Sequence, residues 1–154
     1  MALVAEAKKK AELLYERYYK LLLLVGSSGT GKTRLINEIC GDNAYTYVNF
    51  NLVLSKKLKD VAIEDRAYCV HEFIDEIVRD NPGDFLVLDN IEIIFSKHFQ
   101  IDPLSVLKNI SKYRKTIAAW QGVIKDRYLI YAEPWHEDYI RYSIDELECL
   151  YIEV

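Results

Sequence analysis

The sequence has no apolar run long enough to cross a membrane. The longest, LLLLV at residues 21–25, has five residues, whereas a membrane-spanning helix needs about 20. The N-terminal segment is interrupted by Glu6 and by the lysines at residues 8–10, so it does not have the apolar stretch of a secretory signal. We therefore expect a cytoplasmic protein with no membrane partner.

Cysteine is scarce as well, with three residues placed far apart along the chain: Cys40, Cys69 and Cys149. No CxxC pair is present, which excludes the sequence patterns of a zinc ribbon and of a disulfide framework. Positive charge is not in excess, because the formal net charge is -4. The chain therefore has no general attraction to nucleic acid, although the lysines at residues 56–59 leave a local DNA contact possible.

Short apolar segments alternate along the chain with amphipathic segments of helical length. We predict strands at residues 21–25, 45–49, 85–88, 116–120 and 128–131, with a further strand at 149–153. We predict helices at residues 4–20, from the glycine-rich segment to 39, at 66–79 and at 103–113, and we leave 52–60 ambiguous. This alternation predicts an α/β fold of three layers, with a mostly parallel sheet of about five strands and helices on both faces.

The chain length fits one domain. We expect an N-terminal helix at residues 1–20, a core at 21–133 and a C-terminal extension at 134–154. About 20 residues follow the fifth predicted strand, which is too few for a separate C-terminal helical lid. All 154 residues are therefore expected to form a single domain.

The strongest motif is GSSGTGKT at residues 26–33, which matches the pattern GxxxxGK[ST]. Glycine lets the backbone turn tightly and bring its N–H groups against phosphate oxygens. Lys32 is expected to reach the β- and γ-phosphates, and the Thr33 hydroxyl to bind Mg²⁺. The motif follows an apolar strand and precedes a helix, as a phosphate-binding loop does. It predicts that the α/β domain is a P-loop NTPase and that residues 21–133 form its nucleotide-binding core. The predicted nucleotide contacts are Gly26, Ser27, Ser28, Gly29, Thr30, Gly31, Lys32, Thr33 and Arg34.

Asp89 is the second predicted element of this site. It follows the apolar strand 85–88, and a carboxylate at the end of a central strand holds Mg²⁺ in P-loop proteins. The predicted metal ligands are therefore Thr33 and Asp89, and the predicted cofactors are ATP and Mg²⁺. No guanine-reading NKxD motif is present, which favours ATP over GTP.

The residues that would perform hydrolysis are less well defined by the sequence. The position after Asp89, where many P-loop ATPases have a glutamate, is Asn90, which cannot accept a proton. Glu92 is the alternative base, and Gln121 after the fourth predicted strand is the candidate sensor of the γ-phosphate. Arg114 is the predicted arginine finger, with Arg127 and Arg141 as alternatives, and such a residue is often supplied by a neighbouring subunit.

Several further segments resemble one family. They are residues 49–58, 88–95, 102–104, Arg114 with 116–122 (TIAAWQG), and 129–134 (LIYAEP) with His136, Glu137, Tyr139 and Tyr142. Over nearly all of the chain after residue 20, the sequence is similar to BrxF, the small P-loop proteins of type 3 BREX bacteriophage-exclusion systems. Trp135 departs from the resemblance, because a small residue is expected there. The resemblance implies an AAA+-like ATPase core that acts in antiviral defence.

The resemblance also implies companion proteins: a larger ATPase, a DNA methyltransferase, a helicase and a phosphatase-like protein. We therefore expect an ATP-binding and ATP-hydrolysing subunit that assembles with itself, as a homo-oligomer, or with other BREX proteins. Two alternatives stay open. One is a non-catalytic scaffold whose assembly is controlled by nucleotide, and the other is a small-molecule kinase that uses the same loop.

Overall fold

The computed structural model describes residues 2–154, which form a seven-stranded sheet with helices on both faces. The strands are β1 (Leu21–Gly26), β2 (Tyr45–Asn49), β3 (Phe85–Asp89), β4 (Lys115–Lys125), β5 (Tyr128–Tyr131), β6 (Ile140–Ser143) and β7 (Leu150–Glu153). The α-helices are α1 (Ala2–Glu12), α2 (Lys32–Ile39), α3 (Phe50–Leu58), α4 (Arg66–Asp80) and α5 (Pro103–Ser111). Short 3₁₀ turns lie at Leu14–Glu16, Ile63–Asp65, Glu92–Phe95, Lys97–Phe99 and Ile144–Glu146.

Five of the strands form a parallel sheet in the order β2-β3-β4-β1-β7. Parallel pairing brings the carboxyl ends of these strands to one edge of the sheet. In the register of β1 with β4, Gly26 lies opposite Gln121, and in the register of β2 with β3, Asn49 lies opposite Asp89. The loop after β1 and the last residue of β3 therefore share that edge, with β4 between them.

The continuous apolar run of β1 reflects burial on both faces of the sheet. Successive side chains of a strand point to opposite faces. Leu21 and Leu23 accordingly pack in the cluster that includes α3, α4 and α5, whereas Leu22 and Leu24 pack in the cluster that includes α1 and α2. The confirmed fold class, a P-loop NTPase-like parallel sheet with helices on both faces, follows from this two-sided core.

β4 differs from its predicted extent, because it continues past residue 120 to Lys125 and pairs there with β5 in an antiparallel hairpin. β6 extends the hairpin on the far side of β5. The turn consists of Asp126 and Arg127, with φ values of 53° and 67°, as a tight hairpin turn requires. The segment 128–131 is thus a strand as predicted, but it lies in this antiparallel extension, and β6 was not predicted.

Other boundaries also differ from the predictions. α1 ends at Glu12 rather than residue 20, because Lys20 is already extended and accepts a hydrogen bond from the Thr116 backbone N–H at 2.8 Å. The ambiguous segment is α3, and the tentative last strand is β7, which pairs with β1 in parallel. In the described chain after β5, residues 132–154 form two strands and a 3₁₀ turn rather than a helical lid.

None of the helices within residues 2–154 is long and apolar enough to span a membrane.

Candidate nucleotide-binding site

The loop between β1 and α2 has the backbone that its three glycines allow. Gly29 and Gly31 have φ values of 83° and 99°, a region in which residues with a Cβ are strained. Gly26 serves a different purpose, since a Cβ there would lie 2.4 Å from Thr30 Oγ1. The Thr30 hydroxyl donates to the Ser27 carbonyl oxygen at 2.9 Å. Each glycine of the predicted motif is therefore needed by the shape of the loop.

Lys32 lies in the first turn of α2, with its side chain over the loop. Its Nζ donates to the carbonyl oxygens of Gly26 at 2.6 Å and Ser27 at 2.8 Å. Burial lowers the pKa of Lys32, and the nearby carboxylates of Glu92 and Asp89 oppose this effect. A phosphate in the loop would offer the ammonium a charged acceptor, and charge-assisted hydrogen bonds are stronger than those to a carbonyl.

Asp89 is the last residue of β3 and is 3% exposed. Its Oδ2 accepts hydrogen bonds from Thr33 Oγ1 at 3.3 Å and from the Tyr47 hydroxyl at 3.2 Å. Its Oδ1 accepts a hydrogen bond from the Asn90 backbone N–H at 3.0 Å. The structure thus brings together the two residues that the sequence predicts as metal ligands, from elements 56 positions apart in the chain.

These two oxygen donors suit Mg²⁺ better than a metal that needs a full protein cage. Mg²⁺ is usually bound by one or two protein oxygen ligands, substrate phosphates and water. Within residues 2–154, no group of three or more His, Cys, Asp or Glu residues is placed to hold a metal ion. The arrangement of Thr33 and Asp89 beside the glycine-rich loop therefore fits Mg²⁺ that arrives with a nucleotide.

Glu92 lies near the same carboxylate because the chain turns sharply after β3. Asn90 has a φ of 54°, and the following residues form the 3₁₀ turn Glu92–Phe95. Burial raises the pKa of the half-buried Glu92, Asp89 raises it further, and Lys32 opposes the rise. A raised pKa makes a carboxylate a stronger proton acceptor near neutral pH.

One cavity of about 330 Å³ connects these groups. Its lining includes nine of the residues predicted from the sequence: Ser28, Gly29, Gly31, Lys32, Thr33, Arg34, Asp89, Glu92 and Gln121. Asn90 and Ala119 complete the lining. Gln121 lies within β4 rather than at its end, but its position opposite Gly26 still brings it to the cavity. The cavity therefore combines a phosphate-binding loop, two oxygen ligands and a half-buried carboxylate.

Comparison with protein families supports the same interpretation. The model of the ATPase family associated with various cellular activities (AAA) matches residues 22–118, which include the loop, Asp89 and Glu92. The chain belongs to the AAA family. A comparison with curated proteins found no match.

Two solved structures resemble the whole of this AAA chain. A DNA replication initiation factor superposes with a TM-score of 0.51 at 16% identity, over 96% of this chain and 44% of its own. PCH-2 of C. elegans superposes with a TM-score of 0.50 at 16% identity, over 99% of this chain and 42% of its own. At this identity the likeness shows the fold alone. The AAA chain spans less than half the length of either protein.

Arg114 is not part of this cavity. It precedes the first residue of β4, seven positions before Gln121, which corresponds to about 20 Å along a strand. Its guanidinium donates to the carbonyl oxygens of Val78 at 3.3 Å and Asn81 at 3.0 Å, at the end of α4. Arg114 therefore cannot reach a phosphate in the loop of its own chain, and the predicted finger role applies only to a neighbouring copy.

The other two arginines considered as fingers lie on the antiparallel hairpin. Arg127 pairs with Asp145 at 2.6 Å, and the Arg141 guanidinium lies 4.2 Å from the centre of the Tyr128 ring. Neither residue lines the nucleotide cavity.

Tyr47 is the contact that sequence reasoning did not identify. Its hydroxyl donates to the carboxylate of Asp89 at 3.2 Å. The signal was present in the strand period, because Tyr47 and Asn49 lie on one face of β2. The contact could be inferred from this period only if the pairing of β2 with β3, which places Asn49 opposite Asp89, were already known.

Proposed function

We propose that this AAA chain binds ATP with Mg²⁺ and hydrolyses the terminal phosphate. The observation that carries the proposal is the convergence of Lys32, Thr33, Asp89 and Glu92 on one cavity at the carboxyl edge of the sheet. Each residue has a chemistry that phosphoryl transfer to water requires, and two of them come from a segment distant from the loop in sequence.

The proposed division of roles follows from the position of each group. Backbone N–H groups of the loop and the N-terminus of α2 would hold the phosphates, and Lys32 would leave its carbonyl acceptors for the β- and γ-phosphate oxygens. Thr33 and Asp89 would hold Mg²⁺, which when bound neutralises charge on those oxygens. Glu92 would accept a proton from the attacking water, and Gln121 would contact the terminal phosphate.

A second chain would complete this site. In this proposal an arginine from a neighbouring copy, with Arg114 as the first candidate, stabilises the charge that develops on the transferred phosphoryl group. Homo-oligomer formation would then be required for full turnover, and an isolated chain would hydrolyse ATP slowly. Slow turnover agrees with Asn90, which cannot accept a proton and occupies the position after Asp89 where many P-loop ATPases have a glutamate.

The resemblance to BrxF supports a role in a BREX-type bacteriophage defence system, with other BREX proteins as partners. Two of the segments that carry this resemblance adjoin the hairpin: 116–122 is the part of β4 that leads into it, and 129–134 begins in β5. Gln121, the residue of β4 directly before the hairpin pairing begins, lines both the nucleotide cavity and a neighbouring cavity beside Tyr131 of β5. We propose that partner contact through the hairpin is coupled to nucleotide state. A DNA contact through residues 56–59 is a weaker part of this proposal.

The decisive experiment measures ADP formation by the purified protein, alone and with its partners. Wild type is compared with Glu92→Gln, which removes the proposed base, and with Glu72→Gln, a matched change at an exposed glutamate of α4. A general base contributes about 10²- to 10⁴-fold to rate, so Glu92→Gln should lose turnover by that order while still binding ATP. Equal turnover in all three proteins would overturn the assignment of Glu92.

The same experiment separates the two alternatives. If wild type and Glu92→Gln are equally inert while ATP changes the oligomer mass in mass photometry, the nucleotide-gated scaffold is correct, and Asn90 is the observation that favours it. If ADP forms only with an added small-molecule acceptor, the chain is a kinase. Such enzymes close an arginine-bearing lid over the phosphates, and between residues 95 and 127 the chain forms a 3₁₀ turn, α5 and β4 without such an insert.

A further inference from the structure

We propose that Tyr47 is a positioning residue that holds the Asp89 carboxylate in the orientation needed for Mg²⁺. The proposal rests on the proposed function of this site as one that takes a magnesium nucleotide. Its basis is the hydrogen bond from the Tyr47 hydroxyl to Asp89 Oδ2 at 3.2 Å. The same oxygen accepts a hydrogen bond from the Thr33 hydroxyl at 3.3 Å. One carboxylate oxygen of β3 is therefore hydrogen-bonded to both β2 and α2.

The sheet register explains how Tyr47 reaches this oxygen. β2 and β3 pair in parallel, with Tyr47 opposite Val87 and Asn49 opposite Asp89. Side chains two residues apart on a strand share a face, so Tyr47 and Asp89 are diagonal neighbours on the α2 side of the sheet. A diagonal neighbour is within reach of a long aromatic side chain. The phenol ring spans the distance from β2 to the Asp89 carboxylate, which a hydroxyl on a shorter side chain could not reach.

The chemistry of the pair fits a supporting role toward a metal ligand. Asp89 is 3% exposed and makes no ion pair within residues 2–154. Its negative charge is instead stabilised by three hydrogen-bond donors, of which Tyr47 and Thr33 act on Oδ2 and the Asn90 N–H acts on Oδ1. Donors of this kind fix the rotamer of a ligating carboxylate and tune its affinity for the metal.

Tyr47 is suited to remain a donor throughout. A phenol has an ordinary pKa of about 10 and therefore keeps its proton near neutral pH. When Thr33 turns its hydroxyl oxygen toward a metal ion, the bond from Tyr47 would still hold Oδ2 in place. The proposed role concerns the metal, because the Tyr47 hydroxyl bonds to the carboxylate that is proposed to hold it.

The test uses the change Tyr47→Phe with Tyr45→Phe as its matched control. Both residues lie on β2 and face the same side of the sheet, but the Tyr45 ring stacks on Phe85, with ring centres 4.4 Å apart, at the far end of the strand from Asp89. Tyr47 is 39% exposed, so the loss of its hydroxyl leaves the core intact. Melting temperatures of the three proteins would establish that all are folded.

The measurement is the affinity for a non-hydrolysable ATP analogue, determined by calorimetry in EDTA and over a series of Mg²⁺ concentrations. Loss of an outer-shell partner typically weakens metal affinity by about 10- to 100-fold. Tyr47→Phe should therefore need roughly 10-fold more Mg²⁺ for the half-maximal gain in affinity, with no change in EDTA. Tyr45→Phe should match wild type in both conditions.

Each other outcome has a defined meaning. If Tyr47→Phe has the Mg²⁺ dependence of wild type, or loses affinity equally with and without Mg²⁺, the positioning role is overturned while the proposed function stands. If wild type itself binds no analogue at any Mg²⁺ concentration, the proposed function and this inference both fall.

Discussion

The replacement of Gly26 by alanine tests whether the loop geometry depends on the close approach of Gly26 to Thr30 and Val154. A Cβ at this position would lie 2.4 Å from Thr30 Oγ1 and 2.9 Å from the Val154 carbonyl oxygen. The Thr30 hydroxyl cannot move away without weakening its bond to the Ser27 carbonyl at 2.9 Å. The Val154 backbone is fixed by its N–H, which donates to the Val25 carbonyl oxygen at 2.7 Å.

The expected cost follows from the crowding. Overpacking of this kind costs about 1–3 kcal/mol, and in a chain of this size each kcal/mol lowers the melting temperature by roughly 2–4 °C. We therefore expect Gly26→Ala to melt several degrees below wild type. Gly29→Ala is the control for backbone strain alone, because its φ is 83° and no atom lies within 4 Å of the added Cβ. That strain costs about 1–2 kcal/mol.

A double-mutant cycle separates the two mechanisms. Thr30→Ala removes the nearest obstructing atom, so it should recover part of the stability lost in Gly26→Ala and none of that lost in Gly29→Ala. Contacting residues typically show coupling energies of about 0.5–3 kcal/mol. Thermal unfolding of the single and double variants measures this coupling. If Gly26→Ala and Thr30→Ala are additive, the crowding argument is wrong.

Three further predictions concern Glu92, Arg114 and Gly122. Because the pKa of Glu92 is raised in the folded protein, the protein loses stability as the pH rises from the ordinary glutamate range to that raised pKa, and the cost is absent below this range. The melting temperature of Glu92→Gln should therefore equal that of wild type at acid pH and exceed it at neutral pH. A pH series of melting curves in which the variant melts lower than wild type at neutral pH would contradict the burial argument. Arg114→Ala should lower the free energy of unfolding by about 1–3 kcal/mol through its lost charged hydrogen bonds, while calorimetry finds ATP affinity unchanged. Gly122→Ala would place a Cβ 1.9 Å from the Ile130 carbonyl oxygen, so its melting temperature should fall at least as far as that of Gly26→Ala, and a wild-type melting curve would refute this.

The sequence was sufficient for features that depend on local chemistry. The phosphate loop is one continuous motif. Asp102, directly before a proline at the first helical position, caps α5 by accepting a hydrogen bond from the Ser105 backbone N–H at 3.0 Å. The end of β3 was predicted from an apolar run that stops at Asp89. In each case the residues that form the feature are adjacent in the chain, so pattern and geometry coincide.

Features that depend on distant pairing could not be predicted in the same way. The hairpin turn at residues 126–127 was missed because Asp-Arg is not the Asp-Gly or Asn-Gly pair that usually marks such turns. The contact of Tyr47 with Asp89 requires the strand order and register, which no local pattern contains. Arg114 was predicted from its charge alone, and the structure uses that charge to satisfy carbonyl groups at the end of α4.

The central claim is that the loop at residues 26–33 binds the phosphates of a magnesium nucleotide and that Lys32 contributes charge to this binding. Calorimetric titration of Mg-ATP into wild type, Lys32→Ala and Lys56→Ala tests it most directly, since Lys56 is an exposed lysine of α3. Hydrogen bonds to a charged group contribute about 1.5–3 kcal/mol, so Lys32→Ala should bind at least about 10-fold more weakly while Lys56→Ala binds like wild type. Equal affinity of Lys32→Ala and wild type, or no binding by wild type, would contradict the claim.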